Sequence, residues 1–366
     1  MPHTPVYQPD LSGKEREYVL ECLDSTWISS KGRFIREFET GFASFIGASH
    51  AASVCNGTVA LHLAMLALGI GPGDEVIVPT LTYIASVNAI RYVGATPVFC
   101  DSRANTWQMD PEDVEKRITP RTRAVMCVHL YGGACEMARL ANLCHERGLK
   151  LVEDCAEAIG TRIDDRHVGT FGDVATFSFF GNKTITTGEG GMVSCKDAVL
   201  DDKVRRLRGQ GLAENREYWH DIVGYNYRMT NICAAIGLAQ LERIDDILRR
   251  KAALANHYRD ALVGLPLAFQ TSLPGEVSSH WMVTVLVPER DDREPVRTAL
   301  SEAGIETRPT FYPVHGMPMY RAGQPEFPVA EDIAARGINL PSWQNLAETE
   351  VARIAKAISS YFGRGT

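Results

Sequence analysis

The sequence predicts an α/β protein: a large domain with a mostly parallel central sheet, followed by a smaller α+β C-terminal domain. Three observations lead there. Short apolar runs rich in β-branched residues recur between residues 75 and 195, helix-patterned segments separate several of them, and the pattern changes after Asn231. Strands that alternate with helices need crossover connections, which make neighbouring strands parallel and cover both faces of the sheet. At 366 residues, 45% hydrophobic and 23% charged, the chain has the size of two domains and an ordinary globular balance.

Taken in order, the strand signals are Glu75–Pro79, Pro97–Asp101, Ala124–Leu130, Lys150–Asp154, Val174–Phe180 and Gly191–Cys195. The helical signals among them are Ile84–Val93, Pro111–Ile118 and Glu136–Arg147. An almost unbroken apolar run such as AVMCVHL suits a strand buried on both faces. Ile232 to Leu262 reads as a long helical stretch, with Ile236, Leu238, Leu241, Ile244 and Ile247 near helical spacing. A strand signal at His280–Val287 and helical signals at Glu294–Ala303 and Glu348–Tyr361 complete the smaller domain. The division is expected near residue 245, giving a large domain over 1–245 and a small one over 246–366. No internal repeat or low-complexity segment interrupts this pattern.

The formal net charge is −7 and no basic run stands out, which argues against nucleic acid as a partner. Met1 to Asp10 is polar and proline-rich without a signal-peptide core, and the apolar stretch Val59–Leu68 contains His62 and ends at Gly69. A cytoplasmic protein with no membrane partner is the expectation. The nine cysteines, at 22, 55, 100, 127, 135, 144, 155, 195 and 233, form no CxxC pair and mostly lie in apolar segments. They read as buried free thiols of a reducing compartment, with neither disulfides nor a metal site.

The densest chemical signal is Asp173–Met192, DVATFSFFGNKTITTGEGGM. Lys183 follows a very apolar strand and precedes a glycine-rich turn. Lysine is rarely buried unless something uses it, and an amine in a poorly hydrated pocket is nucleophilic toward carbonyls, as a Schiff-base lysine must be. Upstream, KLVEDCAEA ends a strand in Glu153 and Asp154, at the carboxyl edge where open α/β sheets bind ligands. A carboxylate there can pair with a protonated pyridine nitrogen and keep the ring electron-withdrawing. CNGTVAL opens a helix with Gly57 and Thr58, whose N–H groups and hydroxyl suit a phosphate. In PTLTYIAS, Tyr83 follows a strand end and can stack on a planar ring. Each segment has an ordinary alternative: a lysine capping the strand in solvent, an N-cap acid, a plain helix start, a core tyrosine. Together they supply an amine, a carboxylate, a phosphate cradle and an aromatic face, the parts of a pyridoxal 5'-phosphate (PLP) site.

At this point the chain resembles the DegT/DnrJ/EryC1/StrS family of sugar aminotransferases from about Tyr7 to the C-terminus. The resemblance is carried by TWISSKGRFIREFE, GDEVIVPTLTYIAS, EDCAEAIG, FSFFGNKTITTGEGGM, RGQG and GYNYRMTNICAAIGLAQLE. It implies the aspartate-aminotransferase-like type I PLP fold. It also implies roles. Lys183 would carry the cofactor, Asp154 would pair with the pyridine nitrogen, and Glu157 would lie near the ring's 3-hydroxyl, where members often have Gln or His. Tyr83 would stack on the ring, and Gly57, Thr58 and Ser178 would bind the phosphate. Asn226 would reach the phosphate of a neighbouring subunit, with Arg228 supporting its loop, so the unit would be a homodimer with shared active sites. The TRPTFYPVH segment makes Arg308, Tyr312 and His315 candidate substrate contacts, joined by Trp27, Ser29 and Lys31.

The activity the resemblance implies is amino transfer from L-glutamate to a nucleotide-linked 4-keto-6-deoxy sugar, with pyridoxamine phosphate as the cofactor's alternate form. The blocks TWISS, FFGNKTITTGEGG and GYNYRMTN point within the family toward GDP-4-keto-6-deoxymannose. A dTDP- or UDP-linked keto sugar is the alternative. So is a PLP-dependent sugar dehydration, although a relative with that activity has histidine where this chain keeps Lys183.

Overall fold

The computed structural model describes residues 3–323 and 325–363. Its centre is a seven-stranded sheet in the order His50–Val54, Gly191–Cys195, Val174–Ser178, Lys150–Asp154, Thr122–Val128, Glu75–Pro79, Thr96–Cys100. Gly191–Cys195 runs antiparallel to both its neighbours, and the other pairings are parallel. The sheet is therefore mostly parallel, as the alternating signals predict. Three expected strands, Glu75–Pro79, Lys150–Asp154 and Gly191–Cys195, have the expected bounds.

Successive strand residues feed opposite faces. Met126 and Val152 join a core with Leu61, Met65 and Val78, whereas Cys127 and Leu151 pack with Met137 and Leu140. Further along, Phe177 and Phe179 meet Phe34, Phe38 and Phe42 of the helix Arg33–Ile46. That helix forms because its phenylalanines recur every four residues, and it ends where Gly47 takes a left-handed φ of 77°. Polar caps start other helices: Asn56 accepts from Val59 N, Asp197 from Leu200 N and Thr230 from Cys233 N.

The expected helical stretch Ile232–Leu262 is two helices, Asn231–Leu241 and Ile244–Ala261. They part at Glu242 and Arg243, where Arg243 turns to Asp10 at 2.8 Å and Gln240 donates to the Asp10 carbonyl. The second helix spans both cores: Ile244 and Ile247 pack with Phe34 and Phe38, while Leu254 and Tyr258 pack under a second, four-stranded antiparallel sheet. The order there is Ala268–Phe269, Val283–Leu286, Gly337–Leu340, Arg308–Pro309, and helices Arg293–Glu302 and Glu348–Phe362 cover it. A residue-245 division falls in the first turn of Ile244–Ala261. All nine cysteines are free, seven of them buried. Among the described residues no helix is long and apolar enough to cross a membrane.

Candidate active site

A cavity of about 600 Å³ opens at the carboxyl edge of the large sheet. Its lining includes Gly57, Thr58, Tyr83, Asp154, Glu157, Ser178 and Lys183, so residues 126 positions apart in the chain face one space. Open parallel sheets hold ligands at this edge, because strand ends and helix starts converge there.

Asp154 ends its strand with its side chain 5% exposed. Ser86 Oγ donates to Oδ2 at 2.7 Å, and the Ala156 N–H donates to Oδ1 at 3.1 Å. Burial pushes the carboxyl above its usual range, a shift the Ser86 and Ala156 bonds oppose. Ser86 is itself in contact with Thr82 Oγ1 at 3.1 Å. The strand end is pinned from the other side by Glu153. Its oxygens accept from the N–H groups of Gly169, Phe171 and Gly172 at 2.7 Å each, and lie 3.2 Å from His129 Nε2. His129 Nδ1 accepts from Cys135 N, so Nε2 carries the proton given to Glu153. Cys155 lies within 4.8 Å of this pair, but the glutamate oxygens already serve those donors, and the group acts as a hydrogen-bonded lock on the strand end.

Lys183 reaches into the cavity with its side chain 13% exposed, and its Nζ lies 3.6 Å from Glu157 Oε1. The Tyr7 hydroxyl fixes its carbonyl at 2.6 Å. Burial pushes the Glu157 carboxyl up to about 7, against the pull of Lys183. The other oxygen of Glu157 accepts from the N–H of Tyr131, a residue held at a left-handed φ of 58°.

Across the cavity the helix Gly57–Ala67 begins. A Cβ on Gly57 would lie 2.8 Å from Ser178 Cβ, so glycine leaves open a recess between the helix start and that hydroxyl. Two buried atoms of the cavity wall, Thr176 Oγ1 and Asn182 Oδ1, have no hydrogen-bond partner among the described residues. The recess itself, between the helix start at Gly57 and the Ser178 hydroxyl, fits an anionic group. Tyr83 is 59% exposed at the rim, 5.7 Å from the Phe311 ring.

The remaining expected residues lie outside this lining. Asn226 is exposed, and its Oδ1 accepts from Arg228 at 3.2 Å. Trp27, Ser29 and Lys31 form an exposed stretch tied down by Asn231, which donates to the carbonyls of Trp27 at 2.7 Å and Ser29 at 2.6 Å. Arg308 is exposed and pairs with Glu306 at 2.5 Å, and Tyr312 is exposed beside Arg293. His315 is engaged at both ring nitrogens, 2.7 Å from Thr80 Oγ1 and 3.2 Å from Glu331. Sequence reasoning missed Ser86, Tyr7 and Trp281. Only Ser86 had a signal, as the residue three after Tyr83 in PTLTYIAS.

The recess at a helix start suits an anion, the inner wall presents an acid, and the amine of Lys183 lines the space between. This fold and this cavity together define an enzyme of the aspartate-aminotransferase type, which works with pyridoxal 5'-phosphate. Comparison with known proteins narrows the class. The model of the DegT/DnrJ/EryC1/StrS aminotransferase family matches residues 9–359, and the chain belongs to that family. It is 56% identical to GDP-perosamine synthase of Escherichia coli O157:H7 over 362 residues, covering 99% of each chain. It is 52% identical to GDP-perosamine synthase of Vibrio cholerae, covering 98% of this chain and 99% of that one. Among solved structures, the aminotransferase TlmJ from Streptoalloteichus hindustanus superposes with a TM-score of 0.95 at 32% identity, with all of both chains covered.

Proposed function

We propose that the enzyme moves the amino group of L-glutamate to C4 of GDP-4-keto-6-deoxymannose, giving GDP-perosamine. The observation that carries this reading is the 56% identity to GDP-perosamine synthase over 99% of both chains, on a chain whose cavity retains the lysine. Bound pyridoxal 5'-phosphate supplies a carbonyl that accepts the amino group and a ring that takes up the electrons released at the amino-acid Cα. Lys183 is the lysine among the lining residues, and its Nζ takes the Cα proton and later returns it. Asp154 holds the ring-nitrogen proton with its buried carboxylate. Glu157 would meet the ring's 3-hydroxyl, Tyr83 would cover the ring face, and the N–H groups at Gly57 and Thr58, with the Ser178 hydroxyl, would bind the phosphate. Arg308, Tyr312 and His315, with Trp27, Ser29 and Lys31, are proposed to meet the nucleotide sugar, whose diphosphate suits the cationic groups.

The expected result with purified enzyme and L-glutamate is turnover of GDP-4-keto-6-deoxymannose and formation of 2-oxoglutarate. A panel that includes dTDP- and UDP-linked keto sugars tests the sugar, and a preference for either would overturn it. Product without the added nitrogen would overturn amino transfer itself.

The proposed unit is a homodimer in which Asn226 serves the partner's phosphate. Two features support this: Asn226 is exposed away from its own cavity, and the loop before it carries Tyr218, Trp219 and Val223 at 93%, 49% and 88% exposure. Mixing Lys183→Ala with Asn226→Ala chains under subunit exchange is expected to restore about a quarter of the wild-type sites, since half the dimers are hybrid and each has one intact site. No recovery from two individually inactive variants would sink the shared-site arrangement. The division into domains 1–245 and 246–366 and a cytoplasmic location complete the proposal, the latter supported by nine free cysteines.

A further inference from the structure

Trp281 lies against the amine. The centroid of its ring is 4.1 Å from Lys183 Nζ, on the wall of the same cavity. Two contacts fix the ring, and a third anchors the Trp281 backbone. Its Nε1–H donates at 2.6 Å to the carbonyl of Asn182, the residue before Lys183. Tyr131 stacks parallel to it, at 6.2 Å and 4°. Its carbonyl accepts at 3.0 Å from Lys251 Nζ, whose other acceptor is the Ser342 carbonyl at 2.8 Å.

Lys251 is only 1% exposed, and burial pushes its amine down to about 7. Fully buried lysines are rare and normally paired with an acid. Among the described residues no carboxylate forms an ion pair with this one. Its two bonds go to backbone carbonyls, one of them that of Trp281, so this costly residue anchors the main chain from which the indole projects. The indole face attracts a cation electrostatically, and more strongly where water is excluded. Glu157 Oε1, at 3.6 Å, is the second group beside Nζ.

We infer that Trp281 is a positioning residue: its π face seats the Lys183 ammonium whenever that amine has no covalent partner, with Lys251 as the anchor of the seat. The inference rests on Lys183 being the amine that carries the cofactor. A seated ammonium stays inside the cavity, within reach of the reacting carbon, and does not swing to solvent on its flexible stem.

The test uses the full-length enzyme in its pyridoxamine phosphate form, labelled with ε-¹³C lysine and read by NMR. Lys183 is free in this form, and its signal is assigned by its loss in Lys183→Arg. The indole ring current is expected to place that signal upfield of the surface lysines. In Trp281→Leu it moves to the surface-lysine position. The glutamate half-reaction then slows about tenfold with the KM for glutamate unchanged. Trp281→Phe keeps a smaller face and is expected to give an intermediate shift. An ordinary Lys183 position in the wild type, or a half-reaction unaffected by Trp281→Leu, would overturn the inference. If Trp281→Leu does not fold, Trp281→Phe decides alone, and a signal it leaves unmoved is the negative result. Borohydride trapping tests separately whether Lys183 carries the cofactor, so the two failures are distinguishable.

Discussion

Lys183→Ala is expected to abolish amino transfer, by about 10⁴-fold or more in kcat, because in the proposed reaction one side chain both holds the cofactor and moves the proton. The fold should survive. The Lys183 backbone keeps its bonds to Tyr7 Oη and the Phe180 carbonyl, and the lost side chain leaves space in a cavity that is already open. Borohydride reduction of the loaded wild type, followed by peptide mapping, should place the cofactor on residue 183. The instructive competitor is Lys251, a buried amine whose low proton affinity also suits carbonyl chemistry. Its Nζ is occupied by two backbone carbonyls, and it is not among the residues lining the cavity. Cofactor trapped on Lys251, or on any lysine but 183, would show that the amine had been misassigned.

Asp154→Asn is expected to keep the fold and lose most of the activity. The amide oxygen can still accept from Ala156 N, and the amide nitrogen then faces Ser86 Oγ, which can accept and turn its own proton toward Thr82. The negative charge is what disappears. Removing one member of a buried charged pair costs about 3–5 kcal/mol, which corresponds to a loss on the order of 10²- to 10⁴-fold in rate. Circular dichroism should be unchanged, and cofactor binding should weaken less than turnover. Turnover near that of the wild type would mean that another group holds the ring nitrogen.

How much of the site could be read in the sequence follows from where each side chain finds its partner. Lys183 and Asp154 were legible because local sequence states their setting: a strand apolar enough for a sheet centre, then a polar residue at its end. Gly57 was legible as a helix start that suits a phosphate, but its partner Ser178 was reached only through family resemblance, since the 2.8 Å approach that demands glycine spans 121 positions. Tyr7 and Trp281 touch Lys183 or its neighbour across 176 and 99 positions, and nothing in their own segments announces it. Secondary structure divides the same way. The bounds of Lys150–Asp154 were clear from pattern. The break at Glu242 and Arg243 was hidden, because the helical apolar spacing continues through it while the cause, Asp10, lies at the far end of the chain.

The phosphate recess has one wall at Gly57 and the other at Ser178, and Gly191–Cys195 is inserted between the strands that lead to those walls. The insertion is tight: a Cβ on Gly191 would lie 2.6 Å from the Asn56 carbonyl. A nascent chain therefore has no recess until residue 195 has left the ribosome and its strand has docked, closing a loop of well over a hundred residues against the entropy of that closure. With the phosphate bound as proposed, cofactor uptake is a late event in folding that reports a finished sheet. A phosphate held as proposed would join the end of His50–Val54 to the end of Val174–Ser178 across the inserted strand, and would stabilise by mass action the long-range contacts that assemble most slowly.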